Sequence, residues 1–324
     1  MRALQLQAFG NPLDSVKLVD LPDVGAPAPN EVVVSVEASP INATDLLIMQ
    51  GRYGFLPSLP SVLGVEGVGR VVAAGSQVKY LKEGDRTIIP FPQPAWAERV
   101  RLSAPWLRPL PKADVQQLAM LSINPATAYL LLTDFVQLPR GSWVIQNGAN
   151  SPTAQAVIAI AKSLGLKTVN VVRRAELVDR VKAIGGDVVL VDGPDLPKTV
   201  ATETSNAPIQ LALDMVADSS TGNLMNCLAP NGVLAMYSAM STKPFIGSPI
   251  NVIFKNISMR GFWLATWLKT AKEERLTAMY ELLAPMIASG AISAPVAATY
   301  AFDKYPEAIG TAAKFSGKVL FTPS

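Results

Sequence analysis

Residues 142–174 combine the residue types and the spacing that hold a dinucleotide phosphate. An apolar strand, SWVIQ, leads into the turn NGANSPTA, an amphipathic helix follows, and a second apolar strand ends on Arg173 and Arg174. This order is half of a dinucleotide-binding βαβ unit. The helix begins where backbone N–H groups and the helix dipole stabilise a pyrophosphate. The pattern predicts a nucleotide cofactor at this turn.

The end of the second strand indicates which nucleotide binds. An NAD site usually carries a carboxylate about 20 residues after the glycine turn, where it accepts a hydrogen bond from the ribose 2′-hydroxyl. Arg173 and Arg174 stand there instead, and guanidinium groups suit a 2′-phosphate. The sequence therefore predicts NADPH. Arg174 has an alternative role as the partner of Glu176 or Asp179, so Arg173 is the stronger candidate.

The turn itself departs from the G-x-G-x-x-G fingerprint, because only Gly148 of its glycines is present. Ala154 is small enough for the last position, where helix and strand pack closely. Pro152 has its φ preset for a first helical turn but removes one N–H donor. The polar side chains that can replace this donor are Asn150, Ser151 and Thr153. The alternative is an ordinary strand-to-helix turn of an α/β domain, without a ligand.

The composition excludes several kinds of chemistry. The chain of 324 residues has no histidine and one cysteine, Cys227. A catalytic zinc needs three ligands from His, Cys and carboxylate, and a structural zinc usually needs four Cys or His, so no metal site is predicted. Nucleophilic Ser–His and Cys–His systems are excluded as well. Cys227 is expected to be a small buried residue of a helix.

Charge and hydropathy predict a protein that binds neither nucleic acid nor membranes. The net charge is +3, no five like charges follow one another, and 49% of the residues are hydrophobic. Apolar runs such as VIAIA are far shorter than a membrane span. The opening MRALQLQAFG alternates as a strand does, unlike a signal or transit peptide. A cytoplasmic, bacterial protein is expected, with a mature mitochondrial matrix form as the alternative.

Strand and helix signals divide the chain into two domains. The first third holds short strands bounded by Pro and Gly, which predicts a small, partly open barrel of antiparallel strands. From Val115 helices and strands alternate, which predicts an α/β domain with a doubly wound parallel sheet. The tail from about Ala294 returns to the strand-rich pattern. The predicted domains are a barrel of residues 1–112 and 292–324 and a nucleotide-binding domain of residues 113–291.

Five separated segments resemble the medium-chain dehydrogenase/reductase superfamily and, within it, the trans-2-enoyl thioester reductases. They are INATDLLIMQGRYG (41–54), LPSVLGVEGVGRV (59–71), INPATAYLLLTDF (123–135), WVIQNGANS (143–151) and FKNISMRGFWLATW (254–267). The resemblance covers the whole chain and implies a GroES-like barrel domain beside a Rossmann domain. It implies an oxidoreductase that reduces enoyl-CoA or enoyl-ACP with NADPH. It also implies a homodimer joined through edge strands of the nucleotide-binding sheets.

The resemblance implies that a tyrosine works where related alcohol dehydrogenases use zinc. Two zinc-ligand positions of those enzymes correspond to Asn42, in place of cysteine, and Val65, in place of histidine. Gln50–Gly54 matches the segment that carries the proton donor of the enoyl reductases, which implies Tyr53 as the catalytic acid. A phenol is protonated at neutral pH and can supply a proton to the α-carbon after hydride adds to the β-carbon. The alternative for Tyr53 is aromatic packing on the barrel.

Further positions of the family carry over one at a time. The residues that correspond to cofactor contacts are Asn124 and Thr127 at the nicotinamide end, Asn150, Ser151, Pro152 and Thr153 at the phosphates, Arg173, Arg174 and Ala175 after the second strand, Tyr237, Ser238, Ala239 and Met240 after a later strand, Phe262, Trp263 and Leu264 in the pocket wall, and Lys318. Ser238 and Ala239 depart from the family, which usually has two glycines there. Phe262 and Trp263 have an alternative role in the core, and Lys318 has one as a solvated residue of an edge strand.

Two other functions are compatible with this sequence. An NADPH quinone reductase, from a neighbouring branch of the superfamily, would not need Tyr53. A non-catalytic binding or structural protein would explain why side chains stand where the family tends to have glycine, since they crowd a pyrophosphate. The enoyl thioester reductase is the leading hypothesis, because Tyr53, Asn124 and residues 262–264 would otherwise have little reason to occur together.

Overall fold

The computed structural model describes residues 1–314 and 317–323, which form two compact units. The first unit comprises Met1–Ala126 and the chain from Thr270 onward, and the second comprises Thr127–Lys269. Within these described ranges, no helix is long and apolar enough to cross a membrane. The same residues contain no group of three His, Cys, Asp or Glu side chains that could hold a metal ion.

The N-terminal part of the first unit is built on antiparallel strands, since its apolar residues alternate between turns. Its elements are β1 (Arg2–Leu6), α1 (Pro12–Ser15), β2 (Val16–Asp20), β3 (Glu31–Ile41), α2 (Ala43–Met49), β4 (Ser61–Val62), β5 (Gly67–Ala74), β6 (Arg86–Ile89), β7 (Arg99–Ser103) and α3 (Val115–Leu118). The long strand β3 pairs with both β5 and β7, and its valines Val32, Val34 and Val36 are buried. These strands form the core of the predicted barrel.

The second unit contains a doubly wound parallel sheet. Its elements are α4 (Asn124–Thr133, which begins in the first unit), β8 (Trp143–Gln146), α5 (Pro152–Ser163), β9 (Lys167–Val172), a short 3₁₀ helix (Ala175–Leu177), α6 (Val178–Ala183), β10 (Val188–Val191), α7 (Leu196–Glu203), β11 (Ile209–Asp214), α8 (Ser220–Cys227), β12 (Val233–Met236), α9 (Pro249–Phe254), β13 (Ser258–Gly261) and α10 (Leu264–Leu268). The strand order is β10-β9-β8-β11-β12-β13, with parallel neighbours. This order is that of the Rossmann fold, so the predicted α/β fold is confirmed.

The end of the chain returns to the first unit with α11 (Glu273–Ala288), β14 (Val296–Tyr300), a 3₁₀ helix (Phe302–Lys304), α12 (Tyr305–Ala312) and β15 (Lys318–Phe321). β15 pairs antiparallel with β3, whereas β14 pairs parallel with β15. The sequence predicted a sheet that is antiparallel throughout, but at this side the sheet is mixed. The cause is the helix α12, which carries the chain across between the two parallel strands.

The two units differ in extent from the domains predicted at 112/113 and 291/292, because α11 packs within the first unit. Tyr280 of this helix stacks on Trp106, with 5.5 Å between ring centroids. Thr277 Oγ1 donates to the carbonyl of Trp106 (3.1 Å), and the Tyr280 hydroxyl donates to the carbonyl of Ser122 (3.0 Å). A helical pattern alone does not show which core its apolar face joins.

Cys227 lies at the end of α8, as expected, but it is only partly buried. Its thiol donates to the carbonyl of Asn223, one helical turn earlier, at 3.2 Å. Burial raises the pKa of the Cys227 thiol to about 12. The thiol is therefore protonated at neutral pH and unsuited to act as a nucleophile.

Gly64 and Gly84 provide a matched test of close packing in the first unit. Both have positive φ, +86° and +88°, but an added Cβ at Gly64 would lie 2.7 Å from the Trp96 nitrogen, and one at Gly84 would meet nothing within 4 Å. Gly84→Ala should cost about 1–2 kcal/mol of backbone strain. Gly64→Ala should cost roughly 3 kcal/mol or more, since overpacking adds to that strain. Denaturant unfolding measures both, and equal costs would contradict this account of the Gly64–Trp96 contact.

Candidate functional site

The turn after β8 is anchored by a buried network at the carboxyl ends of β8 and β11. Asn147 Nδ2 donates to Asp214 Oδ1 (2.7 Å) and to Ser220 Oγ (3.0 Å), while its Oδ1 accepts from the Met215 N–H (2.7 Å). These two strands are neighbours at the point where the strand order of the sheet reverses, which is where nucleotides bind in such sheets. The sequence pattern did not indicate Asn147 and Asp214 as supports of this turn. The available signal was a polar residue at the carboxyl end of each buried strand, Asn147 directly after β8 and Asp214 as the last residue of β11.

Gly148 and Ser151 shape the start of α5. Gly148 has φ +58°, and an added Cβ would lie 3.0 Å from Met215 Sδ, so this one glycine of the fingerprint meets a real spatial limit. Ser151 is the N-cap of α5, and its hydroxyl accepts from the Ala154 N–H at 3.2 Å. The side chain of Asn150 is exposed beside it. The turn thus presents a helix N-terminus with polar side chains, a suitable place for an anion.

The first residues of α5 lie where the sequence predicted them. Pro152 is the first helical residue, in the position where its missing N–H costs no intrahelical hydrogen bond. Thr153 follows it and is buried. Gln155 Nε2 donates to the carbonyl of Asn150 at 3.0 Å, which ties the turn to the helix. The substitutions for glycine are thus accommodated in a regular helix start.

Arg173 and Arg174 follow directly on β9, and both are exposed. Arg174 Nε lies 3.0 Å from Glu176 Oε1, which is the alternative pairing considered for it. Arg173 forms no ion pair with any residue that the structure describes. Ala175 begins the 3₁₀ helix and is exposed as well. In the described part of the chain, a carboxylate therefore competes for the guanidinium of Arg174 and not for that of Arg173.

Tyr237 follows β12 and lies beside Ser151, so the structure brings together two predicted cofactor residues. Its N–H donates to the carbonyl of Asp214 (3.0 Å), and its hydroxyl is buried. Burial raises the pKa of Tyr237, and the Ser151 hydroxyl acts in the opposite direction. Of the next three residues, Ser238 is half-buried, whereas Ala239 and Met240 are exposed.

The predicted pocket wall after β13 is well ordered by packing. The Phe262 N–H donates to the carbonyl of Met236 (2.8 Å), and its ring meets Phe135 edge to face at 6.0 Å. Trp263 is the N-cap of α10 and is half-buried, while Leu264 is buried. The core role considered for Phe262 is thus realised in part. The predicted contact with nicotinamide remains a proposal for all three residues, and for Thr127, which is buried in α4.

Tyr53 lies in the first unit, in the loop that follows α2. It is half-buried, and its ring packs edge to face on Phe55 with 5.1 Å between centroids. Phe55 in turn lies 6.2 Å from the ring of Phe91. The aromatic packing considered as the alternative therefore exists. It also orients the phenol, so packing and a catalytic role are compatible.

A buried polar cluster in the first unit stands where the zinc ligands of alcohol dehydrogenases would be. Lys318 Nζ donates to Asn42 Oδ1, and Asn42 Nδ2 donates to Glu66 Oε1 at 2.9 Å. The Asn42 N–H donates to Asp45 Oδ2 at 2.7 Å. Lys318 was predicted from the sequence as a cofactor contact, whereas its partners in this cluster were not predicted. The ammonium of Lys318 has an internal partner here, and its contact with the cofactor remains a proposal.

The charges of this cluster perturb one another. Burial raises the pKa of Glu66, and the nearby Lys318 ammonium and three hydrogen-bond donors lower it. Burial lowers the pKa of Lys318, and the two carboxylates raise it. Burial also raises the pKa of Asp45 to about 8. Of the two carboxyl groups, Glu66 accepts more hydrogen bonds, so it is the better site for a negative charge near the Lys318 ammonium.

Two family patterns match the chain, "Alcohol dehydrogenase GroES-like domain" over residues 28–104 and "Zinc-binding dehydrogenase" over residues 152–284. The chain is 38% identical to the mitochondrial enoyl-[acyl-carrier-protein] reductase of Rattus norvegicus, an alignment that covers 97% of this chain and 86% of the relative. It is 36% identical to the same enzyme of Homo sapiens, over 99% and 88%. The chain belongs to the enoyl-[acyl-carrier-protein] reductase family.

Solved structures agree with the family. An enoyl thioester reductase from Candida tropicalis superimposes with a TM-score of 0.87 at 26% identity and covers 99% of both chains. A complex of Etr1p with NADP and crotonyl-CoA gives a TM-score of 0.86, also at 26% identity and 99% coverage. A mycobacterial quinone oxidoreductase gives 0.86 at 23% identity over 100% of both chains, a likeness of fold alone. The predicted membership of the medium-chain dehydrogenase/reductase superfamily is confirmed.

Family membership brings no zinc to this chain. The matched pattern is named for zinc, yet Asn42 and Val65 stand at two ligand positions, and Val65 is buried and apolar. The first relatives named above are mitochondrial, whereas the sequence suggested a cytoplasmic protein.

Proposed function

We propose that this protein uses NADPH to reduce trans-2-enoyl thioesters to saturated acyl thioesters, with Tyr53 as the proton donor. The observation that carries this proposal is the 38% identity to an enoyl-[acyl-carrier-protein] reductase over 97% of the chain. The Etr1p complex adds NADP and crotonyl-CoA, an enoyl thioester, on the same fold. Fatty acid metabolism is the setting that these relatives support.

The second unit has features that suit NADPH. The N-terminus of α5, capped by Ser151 and approached through Gly148, suits the pyrophosphate. Arg173, exposed at the end of β9, suits the 2′-phosphate. The Tyr237 hydroxyl, buried beside Ser151, brings the end of β12 next to the same helix start. These features offset the missing glycines of the fingerprint.

The chemistry asks little of the protein beyond positioning and one proton. Bound NADPH supplies a hydride to the β-carbon of the conjugated double bond. The negative charge that results spreads from the α-carbon to the thioester oxygen, and a proton from the Tyr53 hydroxyl completes the saturation. The ring contact with Phe55 orients this hydroxyl, and no ionised side chain is needed to donate the proton. One hydride and one proton balance the reaction.

Substitution of Tyr53 tests the mechanism. Tyr53→Phe keeps the ring and its packing but removes the proton, so kcat for crotonyl-CoA reduction should fall by about 10²–10⁴-fold. Tyr80→Phe is the matched control, because Tyr80 is an exposed tyrosine of the same unit that lies under Arg108. NADPH oxidation at 340 nm measures both variants. Full activity of Tyr53→Phe would refute the acid role, and a wild type active only on a simple quinone would favour quinone reduction.

Arg173 and Arg174 form a matched pair for cofactor selectivity. Loss of a charge-assisted contact to the 2′-phosphate in Arg173→Ala should weaken NADPH binding by about 10–100-fold and leave NADH binding unchanged. Arg174→Ala should have a much smaller effect, since Glu176 already engages that guanidinium. Fluorescence titration gives the dissociation constants of the wild type and of both variants for NADPH and for NADH. Equal losses in both variants would contradict the assignment, and no NADPH binding by the wild type at high micromolar concentration would favour a non-catalytic protein.

We propose that the protein is a homodimer joined at β13, with the apolar surface of α9 next to it in the chain. β13 is an end strand of its sheet, and an end strand offers unpaired backbone groups to another chain. Ile250, Ile253 and Phe254 of α9 are 67%, 69% and 80% exposed, an unusual concentration of apolar surface for a monomer. The Etr1p/Etr2p heterodimer of Candida tropicalis is a paired assembly on the same fold.

The oligomeric state can be measured directly. Light scattering after size exclusion should give twice the chain mass for the wild type and about one chain mass for the double variant Ile253→Glu, Phe254→Glu. Leu13→Glu is the control, because Leu13 is an exposed apolar residue of the first unit, 46% exposed. A monomeric wild type, or a dimer that the double variant leaves intact, would refute this interface.

A further inference from the structure

We propose that Glu66 is a positioning residue, whose buried carboxylate clamps residues 122–123 and so fixes the side chain that follows them, Asn124. This inference rests on the proposed function, in which Asn124 meets the nicotinamide end of NADPH. It adds a residue that contacts neither cofactor nor substrate but decides where a contacting residue lies.

The contacts of Glu66 converge on the start of α4. Its Oε2 accepts from Ser122 Oγ (3.0 Å) and from the Ile123 N–H (3.0 Å), both immediately before Asn124. The Tyr280 hydroxyl donates to the carbonyl of Ser122 at 3.0 Å. The segment is therefore held by two bonds to one carboxylate and by a third bond to a different element. Bonds to an ionised acceptor are roughly twice as strong as neutral ones.

The backbone that carries Glu66 cannot shift to follow the segment. The carbonyl of Glu66 accepts from Ser39 Oγ at 2.7 Å, and the next residue, Gly67, packs so closely that a Cβ would lie 2.8 Å from the carbonyl oxygen of Ala38. This part of the chain is thus fixed on β3. The Glu66 carboxylate therefore determines where residues 122–123 lie, and not the reverse.

Asn42 aims the Glu66 carboxylate, and Lys318 sets the orientation of Asn42. Asn42 Oδ1 accepts a hydrogen bond from the Lys318 ammonium, and Asn42 Nδ2 donates to Glu66 Oε1. The bond from Lys318 therefore sets the orientation of the Asn42 amide. The Lys318 ammonium is only partly buried and bonds Asn42, not Glu66 itself. Buried charges usually add little stability compared with an apolar core. The bonds from Ser122 and Ile123, directly before Asn124, favour a role of Glu66 in positioning over a role in stability.

The test compares two ligands that share the 2′-phosphate and differ in the nicotinamide. Glu66→Gln keeps the shape of the side chain. Its NH₂ group must face either Asn42 Nδ2 or the two donors at residues 122–123, and in both cases one donor meets another. The Asn42 amide cannot turn over to relieve this, because its Oδ1 accepts from Lys318. NADPH binding should weaken by about tenfold, the effect of one lost charge-assisted bond. Binding of 2′,5′-ADP, which has no nicotinamide, should stay within about twofold. Glu37→Gln, in the Arg70–Glu37–Arg86 ion pairs of the same unit, should change neither.

Ser122→Ala is the second variant, and it removes a single donor from the clamp. It should weaken NADPH binding by about threefold, again without effect on 2′,5′-ADP, and it decides the question if Glu66→Gln does not fold. Two results would overturn the positioning role alone. In one, the variants bind both ligands as tightly as the wild type; in the other, they lose affinity for both ligands by the same factor. A wild type that binds neither ligand would overturn the proposed NADPH function and this inference with it.

Discussion

A carboxylate that is buried away from water needs hydrogen-bond donors, and the Glu66 carboxylate has three. The amide of Asn42, the hydroxyl of Ser122 and the N–H of Ile123 surround it, and the Lys318 ammonium balances its charge through Asn42. Four separate parts of the first unit meet at this one group. Because an unpaired buried charge is far more costly than a paired one, these parts must adopt their places together.

The same cluster explains how a zinc-enzyme fold can work without zinc. A divalent ion would have organised the ligand positions from the centre of the site. Here an amide and an ammonium group do so by hydrogen bonds, and Val65 fills the remaining ligand position with apolar volume. Hydrogen bonds can hold side chains in place but cannot polarise a substrate as a Lewis acid does. The proposed chemistry is suited to this change, since a phenol delivers its proton without a metal.

The second unit solves a related problem with few glycines. A phosphate turn needs close backbone approach, and this turn retains glycine only at Gly148, where φ is +58° and an added Cβ would lie 3.0 Å from Met215 Sδ. Elsewhere the turn is held by polar contacts, above all those of Asn147 with Asp214 across neighbouring strands. The rigidity that the fingerprint obtains from tight packing is obtained here from a buried hydrogen-bond network.

The local pattern of residues was enough to predict much of this protein. Alternating strands and helices from Val115 predicted the parallel sheet, the turn at 147–154 predicted the start of α5, and the absence of histidine excluded the usual zinc site. These features depend on neighbours in the chain, and periodicity and composition record them directly. The pairing of Arg174 with Glu176 could also be anticipated, because the two residues are close in sequence.

Contacts between distant residues were decided only by the tertiary structure. Nothing near Lys318 in the chain indicates that it meets Asn42, 276 residues away, and nothing in the pattern of α11 indicates that Tyr280 joins the first unit beside Trp106. A buried polar group is satisfied by whichever partner the fold brings to it, and a helix buries its apolar face in whichever core is nearest. Those partners are set by the path of the whole chain, so the clamp on residues 122–123 could be found only in three dimensions.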